Sequence, residues 1–147
     1  LVAFLCPHCP YVKHVRRQFA LAAKEFQQRG LGVVAMNSND TSAVREDGVD
    51  GMRQEALEAG YTFPYLVDES QDVAKAFRAA CTPDVFLFDD AGRLVYRGQF
   101  DESRPGSQAP VTGKDLRDAV NALLAGDPVS ADQRPSIGCN IKWKKGG

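Results

Sequence analysis

The fold of this protein is decided by residues 1–10, which read LVAFLCPHCP. Residues 1–5 are continuously apolar, and such a run predicts a strand that is buried on both faces at the centre of a sheet. Cys6 and Cys9 follow directly as a CxxC pair. A pair that lies where a buried strand passes into the first turn of a helix favours redox chemistry over a structural or metal-binding role.

A helix and a second strand are predicted immediately after the pair. Apolar residues recur at three- and four-residue spacing from Val12 to Phe26, and Gly30 ends the pattern. Pro10 lies at the limit of what the first turn of a helix tolerates, so we expect a kink there. Residues 32–36 form a second buried strand, and strand, helix and strand in this order imply a parallel, right-handed crossover.

The remaining patterns predict three more helices and a hairpin in one domain, residues 1–126. They are a helix at 51–59, an extended piece at 63–67, a helix at 68–77 capped by Asp68, a hairpin of 85–88 and 94–97 with its turn at 90–92, and a helix from 112 or 113 to 126. Residues 127–147 form a carboxyl-terminal extension. Its alternating stretch 137–143 predicts an additional edge strand.

Composition excludes several classes of function. The chain has 147 residues, enough to bury a core without disulfides, and 18 Lys and Arg against 19 Asp and Glu. Because no face collects basic residues, we expect no nucleic-acid partner. Its apolar runs are shorter than the ~20 residues that span a bilayer, so we expect no membrane role. Two of the four cysteines are solitary, which favours a reducing, cytoplasmic location over a disulfide framework.

Five motifs spread over nearly the whole chain carry a resemblance to a known family. They are CPHCPYVK at 6–13, NSND at 37–40, FPYLVD at 63–68, TPD at 82–84 with the strand that follows, and IGCNIKW at 137–143. Together they resemble the thioredoxin-like superfamily, in its peroxiredoxin-like, redoxin-domain branch of probable thiol-disulfide isomerases and thioredoxins. The first and last motifs are specific.

This resemblance implies a thioredoxin-like three-layer α/β sandwich, with a central mixed sheet and flanking helices. The amino-terminal hairpin that is usual in the family is missing from this sequence, and family members often carry Asn where this chain has Pro7. The family places a cis-proline at the position of Thr82-Pro83, beside the active-site sulfur; the alternative is an ordinary trans turn proline. A cis-proline there leaves the backbone of Thr82 free to pair with a substrate chain, so Thr82 and Pro83 are candidate substrate-binding residues.

The expected chemistry is disulfide exchange at the CPHC site. Cys6 is the candidate nucleophile, as the sulfur nearest the strand end and the helix dipole, and Cys9 is the resolving thiol. His8 should stabilise a thiolate, and with Pro7 it should make the pair more oxidising than thioredoxin. We expect a reduction potential between about −270 mV and about −120 mV.

The sequence therefore predicts a thiol-disulfide oxidoreductase with no metal and no organic cofactor. Its partners would be protein thiols and disulfides, together with a thiol reductant or oxidant that the sequence does not identify. A thiol peroxidase is the main alternative, although Ala3 stands where peroxiredoxins present Thr or Ser to the peroxide. A catalytically inactive redoxin-fold binding module is another. A zinc site at Cys6 and Cys9 would need two further ligands.

Four further residues are accessory candidates. Cys139 could reach the site as a third redox thiol, and Cys81, just before Thr82, could exchange with the pair; for both, inert packing is the alternative. Asn37 and Asp40 follow the second strand, where open α/β sheets place functional residues. No acidic residue precedes Cys6, so the role of a buried acid that deprotonates the second cysteine is unassigned.

Overall fold

The computed structural model describes residues 1–146, which form a central sheet flanked by helices. The strands are β1 (Val2–Phe4), β2 (Val34–Asn37), β3 (Tyr65–Val67), β4 (Cys81–Thr82), β5 (Asp84–Phe88), β6 (Leu94–Gly98) and β7 (Cys139–Asn140). The helices are α1 (Pro10–Gln28), α2 (Val49–Ala59), α3 (Asp72–Phe77) and α4 (Lys114–Ala125), and a short 3₁₀ turn covers Arg45–Asp47.

The main sheet is mixed, with strand order β3-β2-β1-β5-β6. β1 runs parallel to β2, with Val2 opposite Val34, and antiparallel to β5, with Val2 opposite Phe86. β2 and β3 are parallel, whereas β5 and β6 form the antiparallel hairpin. The predicted central position of β1 and the thioredoxin-like α/β architecture are thus confirmed.

β1 supplies side chains to two apolar clusters, as a strand buried on both faces must. Ala3 belongs to the cluster that covers α1 and α4, while Phe4 belongs to a second cluster with Phe86. The ring of Phe4 meets those of Phe77 and Phe86 edge to face, with centroids 5.5 and 5.7 Å away. These contacts fix the end of β1, from which Cys6 follows.

Helix α1 begins two residues earlier than the apolar pattern predicts. Pro10 is its first residue and Cys9 is its N-cap. Proline at the first helical position costs no hydrogen bond, because that amide has no partner within the helix. This placement removes the physical reason for the predicted kink, and it sets Cys9 directly at the helix N-terminus.

Helix α3, in contrast to α1, begins later than predicted, at Asp72. The carboxylate of Asp68 nevertheless accepts hydrogen bonds from the backbone amides of Val73 and Ala74, at 3.2 and 2.9 Å. Asp68 therefore caps the amides of the first turn from outside the helix, as predicted, although it is not the residue directly before the helix.

The carboxyl-terminal segment does not add a strand to the main sheet. β7 pairs antiparallel with β4 in a separate two-stranded sheet, with Thr82 opposite Cys139. Further upstream, the outer edge of β6 bonds to the side chain of Gln133, which accepts from the amide of Arg97 at 3.1 Å and donates to the carbonyl of Val95 at 2.9 Å. The domain boundary at residue 126 stays a prediction.

Helices that are both long and apolar enough to cross a bilayer do not occur within residues 1–146.

Candidate functional site

The sulfur atoms of Cys6 and Cys9 converge on one residue. Sγ of Cys6 lies 3.3 Å from Oγ1 of Thr82, and Sγ of Cys9 lies 3.3 Å from the carbonyl oxygen of Thr82. Both cysteines are fully buried and, like the other two, are free thiols. The fold thus brings the end of β1, the start of α1 and the residue before Pro83 to a single point.

The Thr82–Pro83 peptide bond is cis. The backbone of Thr82 is not free, however, because β4 pairs with β7 through the register of Thr82 with Cys139. The expectation that Thr82 leaves backbone groups open to a substrate chain is therefore wrong for this arrangement. The chain's own carboxyl-terminal strand occupies that position, since it reaches back across the site.

His8 is tied to an acidic residue that the sequence does not single out. Oδ2 of Asp47 lies 2.6 Å from Nδ1 of His8, and Oδ1 accepts the backbone amide of His8 at 3.0 Å. The same Nδ1 lies 3.7 Å from Sγ of Cys6. The His8 ring is partly exposed, whereas the Asp47 side chain is fully buried.

Asp47 is held in place by the loop after β2. Asn39 donates to Oδ2 of Asp47 at 2.9 Å, and Asn37 donates to the carbonyl of Asp47 at 2.7 Å. Asn37 thus supports the site through Asp47. Asp40, by contrast, bonds to Ser42 at the surface and has no contact with the sulfurs among residues 1–146.

The two thiols of the pair shift each other's pKa in opposite directions. Hydrogen bonding to Cys6 lowers the pKa of Cys9, and bonds from Cys139 and from the backbone amide of Val12 act in the same direction. Hydrogen bonding to Cys9 and burial raise the pKa of Cys6, and the charge of Asp47 adds to this effect. Cys9 is the N-cap of α1, although its side chain makes no capping hydrogen bond. The expectation that Cys6 is the sulfur nearest the helix N-terminus is therefore wrong, whereas the expectation that Cys6 is the acidic thiol stays a prediction.

The two remaining cysteines differ in their surroundings. Sγ of Cys139 lies 2.7 Å from Sγ of Cys9, and Cys139 is only partly buried. Sγ of Cys81 lies 3.8 Å from the carbonyls of Pro83 and Ser136, and burial raises the pKa of Cys81 to about 12. Burial and hydrogen bonding to Cys9 also raise the pKa of Cys139, to about 11. The two thiols thus differ in their contacts: Cys139 belongs to the thiol cluster, whereas Cys81 flanks it.

A buried carboxyl group lies behind the site. Glu55 on α2 is 1% exposed and accepts hydrogen bonds from the hydroxyls of Tyr61 and Tyr65, at 2.6 and 2.9 Å. Burial raises the pKa of Glu55 despite these two bonds. On the same side, Pro7 is buried next to Gly51 of α2. The residue between Cys6 and His8 therefore acts as a packing contact that fixes the CPHC turn against α2.

The same region contains one group of possible metal ligands within residues 1–146, namely Cys6, His8 and Asp47. Nδ1 of His8 and Oδ2 of Asp47 are separated by 2.6 Å, a hydrogen-bonding distance, so these donors are already engaged with each other. Sγ of Cys9 is similarly engaged with Sγ of Cys139. The contacts among the donors fit a hydrogen-bonded thiol cluster better than a tetrahedral metal site.

Sequence reasoning missed three residues of this region: Asp47, Asn39 and Glu55. Each is polar, and each lies in a stretch whose local pattern indicates loop or surface helix. Their burial depends on the packing of the β2 loop and α2 against the CPHC turn. Asn39 belonged to one of the motifs that carry the family resemblance, which was the only available signal for it.

Comparison with protein families decides where the chain belongs. The family model for redoxin matches residues 1–116. The chain is a member of the redoxin family. Its fold neighbours include a thioredoxin-like protein solved in its oxidised form and StoA from Bacillus subtilis, at 24% and 18% identity and TM-scores of 0.65 and 0.56. The alignments cover 86% and 79% of this chain, and 78% and 77% of those chains.

Two solved structures are much more similar to this redoxin. A hypothetical protein from Sinorhizobium meliloti 1021 shares 53% of its sequence, and an uncharacterized conserved protein from Geobacillus kaustophilus shares 51%. Both align over 99% of this chain with a TM-score of 0.96, covering 79% and 77% of their own lengths. Comparison with curated proteins gives no match. The relatives thus support the redoxin, thioredoxin-like assignment without naming a substrate.

Proposed function

We propose that this redoxin is a thiol-disulfide oxidoreductase that forms and breaks a disulfide between Cys6 and Cys9. The observation that carries the proposal is the convergence of both sulfurs on Thr82, each at 3.3 Å. Two thiols held against the same residue and hydrogen-bonded to each other are close enough to join with little movement.

The charges around the pair support redox activity in preference to inert packing. A thiolate is the species that attacks a disulfide, and in the reverse direction a thiol of low pKa is the better leaving group. Hydrogen bonding to Cys6 lowers the pKa of Cys9, and Cys139 and the amide of Val12 contribute further. The raised pKa of Cys6 belongs to the same coupled pair, in which one thiol donates a hydrogen bond that favours the thiolate of the other.

The partners of this exchange are, in our proposal, protein thiols and disulfides together with a small or protein thiol that restores the pair. His8 lies beside Cys6, with Nδ1 3.7 Å from Sγ, where its imidazolium form stabilises the thiolate that appears when the disulfide opens. Asp47 holds the ring in this position through the bond at 2.6 Å. No step requires a metal or an organic cofactor.

The test is equilibration of the full chain with mixtures of reduced and oxidised glutathione, acid quenching, alkylation and peptide mass spectrometry. We expect a disulfide that links Cys6 to Cys9, at a potential more oxidising than the about −270 mV of thioredoxin. Trapping with Cys6→Ser and Cys9→Ser in parallel assigns the sulfur that bonds to a protein substrate. If neither cysteine pairs or traps a substrate, the proposed function is wrong.

A second candidate, thiol peroxidase activity, is favoured by one contact. Oγ1 of Thr82 lies against Sγ of Cys6, so the site has a hydroxyl beside the sulfur although Ala3 provides none. Consumption of hydrogen peroxide by the Cys9→Ser variant, with sulfenic acid formed on Cys6, would support this activity. Disulfide exchange without peroxide consumption would exclude it.

A further inference from the structure

The carboxyl-terminal strand places a third sulfur against the redox pair. Sγ of Cys139 lies 2.7 Å from Sγ of Cys9, compared with the ~2.05 Å of a disulfide bond. Cys9 is the central sulfur of the three, because its thiol interacts with both Cys6 and Cys139. An exchange in which Cys9 keeps one bond and changes its partner therefore needs only small displacements.

The position of Cys139 is set by its neighbours on both sides. A Cβ atom on Gly138 would lie 1.9 Å from the carbonyl oxygen of Thr82, so only glycine lets the strand approach this closely. On the other side, Ile141 is 3% exposed within the Phe4 cluster, and its amide donates to the carbonyl of Ala80 at 3.1 Å. Cys139 is thus presented to Cys9 by an anchored segment.

Two further contacts extend that anchor beyond Ile141. The amide of Lys142 donates to the side chain of Asn39 at 2.9 Å, and the side chain of Gln71 donates to the carbonyl of Lys142 at 2.9 Å. Asn39 is the residue that also bonds to Asp47. The segment is therefore tied to the same loop that positions His8.

The first turn of α1 faces two of the three sulfurs. The backbone amide of Val12 lowers the pKa of Cys9, whereas burial and hydrogen bonding to Cys9 raise the pKa of Cys139 to about 11 despite the amide of Tyr11. The three sulfurs also differ in exposure: Cys6 and Cys9 are fully buried, whereas Cys139 is partly exposed. A partner thiol that approaches the folded protein therefore meets Cys139 first.

We propose that Cys139 is a third redox-active thiol, which carries the disulfide from the buried Cys6–Cys9 pair to protein dithiols at the surface. The inference rests on the proposed function. In the first step the thiolate of Cys139 attacks Sγ of Cys9. The Cys9–Cys139 bond forms, the Cys6–Cys9 bond breaks, and its electron pair stays on Cys6, which takes up the proton that Cys139 released.

In the second step a thiolate of the partner dithiol attacks Sγ of Cys139. A mixed disulfide forms, the Cys9–Cys139 bond breaks, and the electron pair stays on Cys9. The second thiolate of the partner then attacks the partner's own sulfur in the mixed disulfide and releases Cys139, which is protonated by water. The partner loses two electrons and the redoxin gains them, so the sequence balances.

The experiment compares Cys6→Ser, Cys6→Ala, Cys139→Ser and the matched control Cys81→Ser in the full chain, after circular dichroism has established that each is folded. Each is oxidised with glutathione disulfide and mapped by mass spectrometry. We expect both Cys6 variants to form a Cys9–Cys139 disulfide. Glutathione on Cys9 with Cys139 free in both Cys6 variants would overturn the proposal.

A kinetic measurement distinguishes a Cys139 that transfers the disulfide from a carboxyl-terminal strand that only shields Cys6 and Cys9. Each oxidised protein is mixed with a peptide dithiol and the rate of peptide oxidation is followed. We expect Cys139→Ser to react ~10-fold or more slowly than Cys81→Ser, since exchange depends on access to the attacked sulfur. An equal or faster rate would mean that the segment only covers the site. A wild-type chain that forms no Cys6–Cys9 disulfide would instead refute the proposed function.

Discussion

The carboxylate of Asp47 makes two hydrogen bonds with His8, one with the ring nitrogen Nδ1 of His8 at 2.6 Å and one with the backbone amide of His8 at 3.0 Å. The carboxylate therefore fixes one of the two residues that separate Cys6 from Cys9. It also places a buried negative charge beside Cys6, which raises the pKa of that thiol. Orientation and charge act together here, and a single substitution separates them.

Replacing Asp47 with Asn keeps the size of the side chain and removes its charge. We expect the pKa of Cys6 to fall, so that Cys6 is alkylated faster at neutral pH, and we expect the fold to lose about 1–3 kcal/mol because a buried charged acceptor is lost. Cysteine-resolved alkylation across a pH series measures the first effect, and urea denaturation the second. Asp40→Asn, in the same loop but at the surface, is the control. An unchanged pH profile for Cys6 would contradict this account.

Thr82→Val tests the hydroxyl that contacts Cys6. Hydrogen bonding to Thr82 lowers the pKa of Cys6, so its removal should raise that pKa further. A bond worth about 1 kcal/mol corresponds to a ~5-fold lower thiolate population and a matching loss in the rate of alkylation of Cys6. The control is Thr62→Val, whose hydroxyl bonds to Gln27 on the surface. Equal rates for both variants would show that the Thr82 contact is unimportant.

Glu55 should make stability depend on pH in a defined direction. Its pKa is raised from 4.5 in the folded protein, mainly by burial, so the protonated form is favoured by folding. The stabilisation it provides is complete below pH 4.5 and is lost as the pH rises through the folded pKa. We expect Glu55→Gln to gain stability relative to the wild type between acidic and neutral pH.

Urea denaturation of both proteins over that pH range measures the difference. Glu58→Gln is the matched control on the same helix, because Glu58 is exposed and hydrogen bonding to Gln54 lowers its pKa. Parallel stability profiles for wild type and Glu55→Gln would mean that Glu55 has the same pKa in the folded and unfolded chains.

Gly138→Ala should displace the carboxyl-terminal strand from the redox pair. The added Cβ would lie 1.9 Å from the carbonyl oxygen of Thr82 and 2.7 Å from its carbon, and backbone atoms cannot move aside cheaply. We expect a loss of about 1–3 kcal/mol in stability. Cys6 and Cys9 should also be alkylated faster, because both are buried while the strand is in place.

The matched control is Gly32→Ala, since a Cβ there meets no atom within 4 Å. Alkylation of each cysteine in both variants is followed by mass spectrometry after short exposures to the reagent. Protection of Cys6 and Cys9 that is the same in Gly138→Ala as in Gly32→Ala would show that the strand does not shield them.

The parts of the fold that could be predicted are those with local signals. The apolar run of β1, the spacing of apolar residues in α1 and the turn that ends at Gly92 each determine their own element. The burial of Asp47 and Glu55 has no such signal, because it arises when α2 packs against the CPHC turn. Placing Cys6 nearest the helix N-terminus failed for a related reason: the first residue of α1 is Pro10, so Cys9 is the N-cap.

Cys139 shows the same limit from the other direction. Its sequence motif indicated a possible approach to the site, but the pairing of β7 with β4 joins residues that are far apart in the chain. That pairing depends on the absence of a side chain at Gly138 and on the pocket that receives Ile141. Neither feature can be predicted from the local sequence, because both depend on the folded five-stranded sheet and its two apolar clusters.

The side chain of Gln133 also bears on strand pairing between copies of this chain. It accepts from the amide of Arg97 and donates to the carbonyl of Val95, which are the hydrogen bonds that a neighbouring strand would make with the outer edge of β6. An edge strand whose backbone amides and carbonyls are unpaired can pair with another chain and start aggregation. Together with the carbonyl of Arg134, which accepts from the amide of Gln99, and the hydroxyl of Ser136, which donates to the carbonyl of Gly98, this side chain covers the exposed edge of the sheet. We therefore expect residues 127–136 to hinder edge-to-edge pairing between copies of the chain.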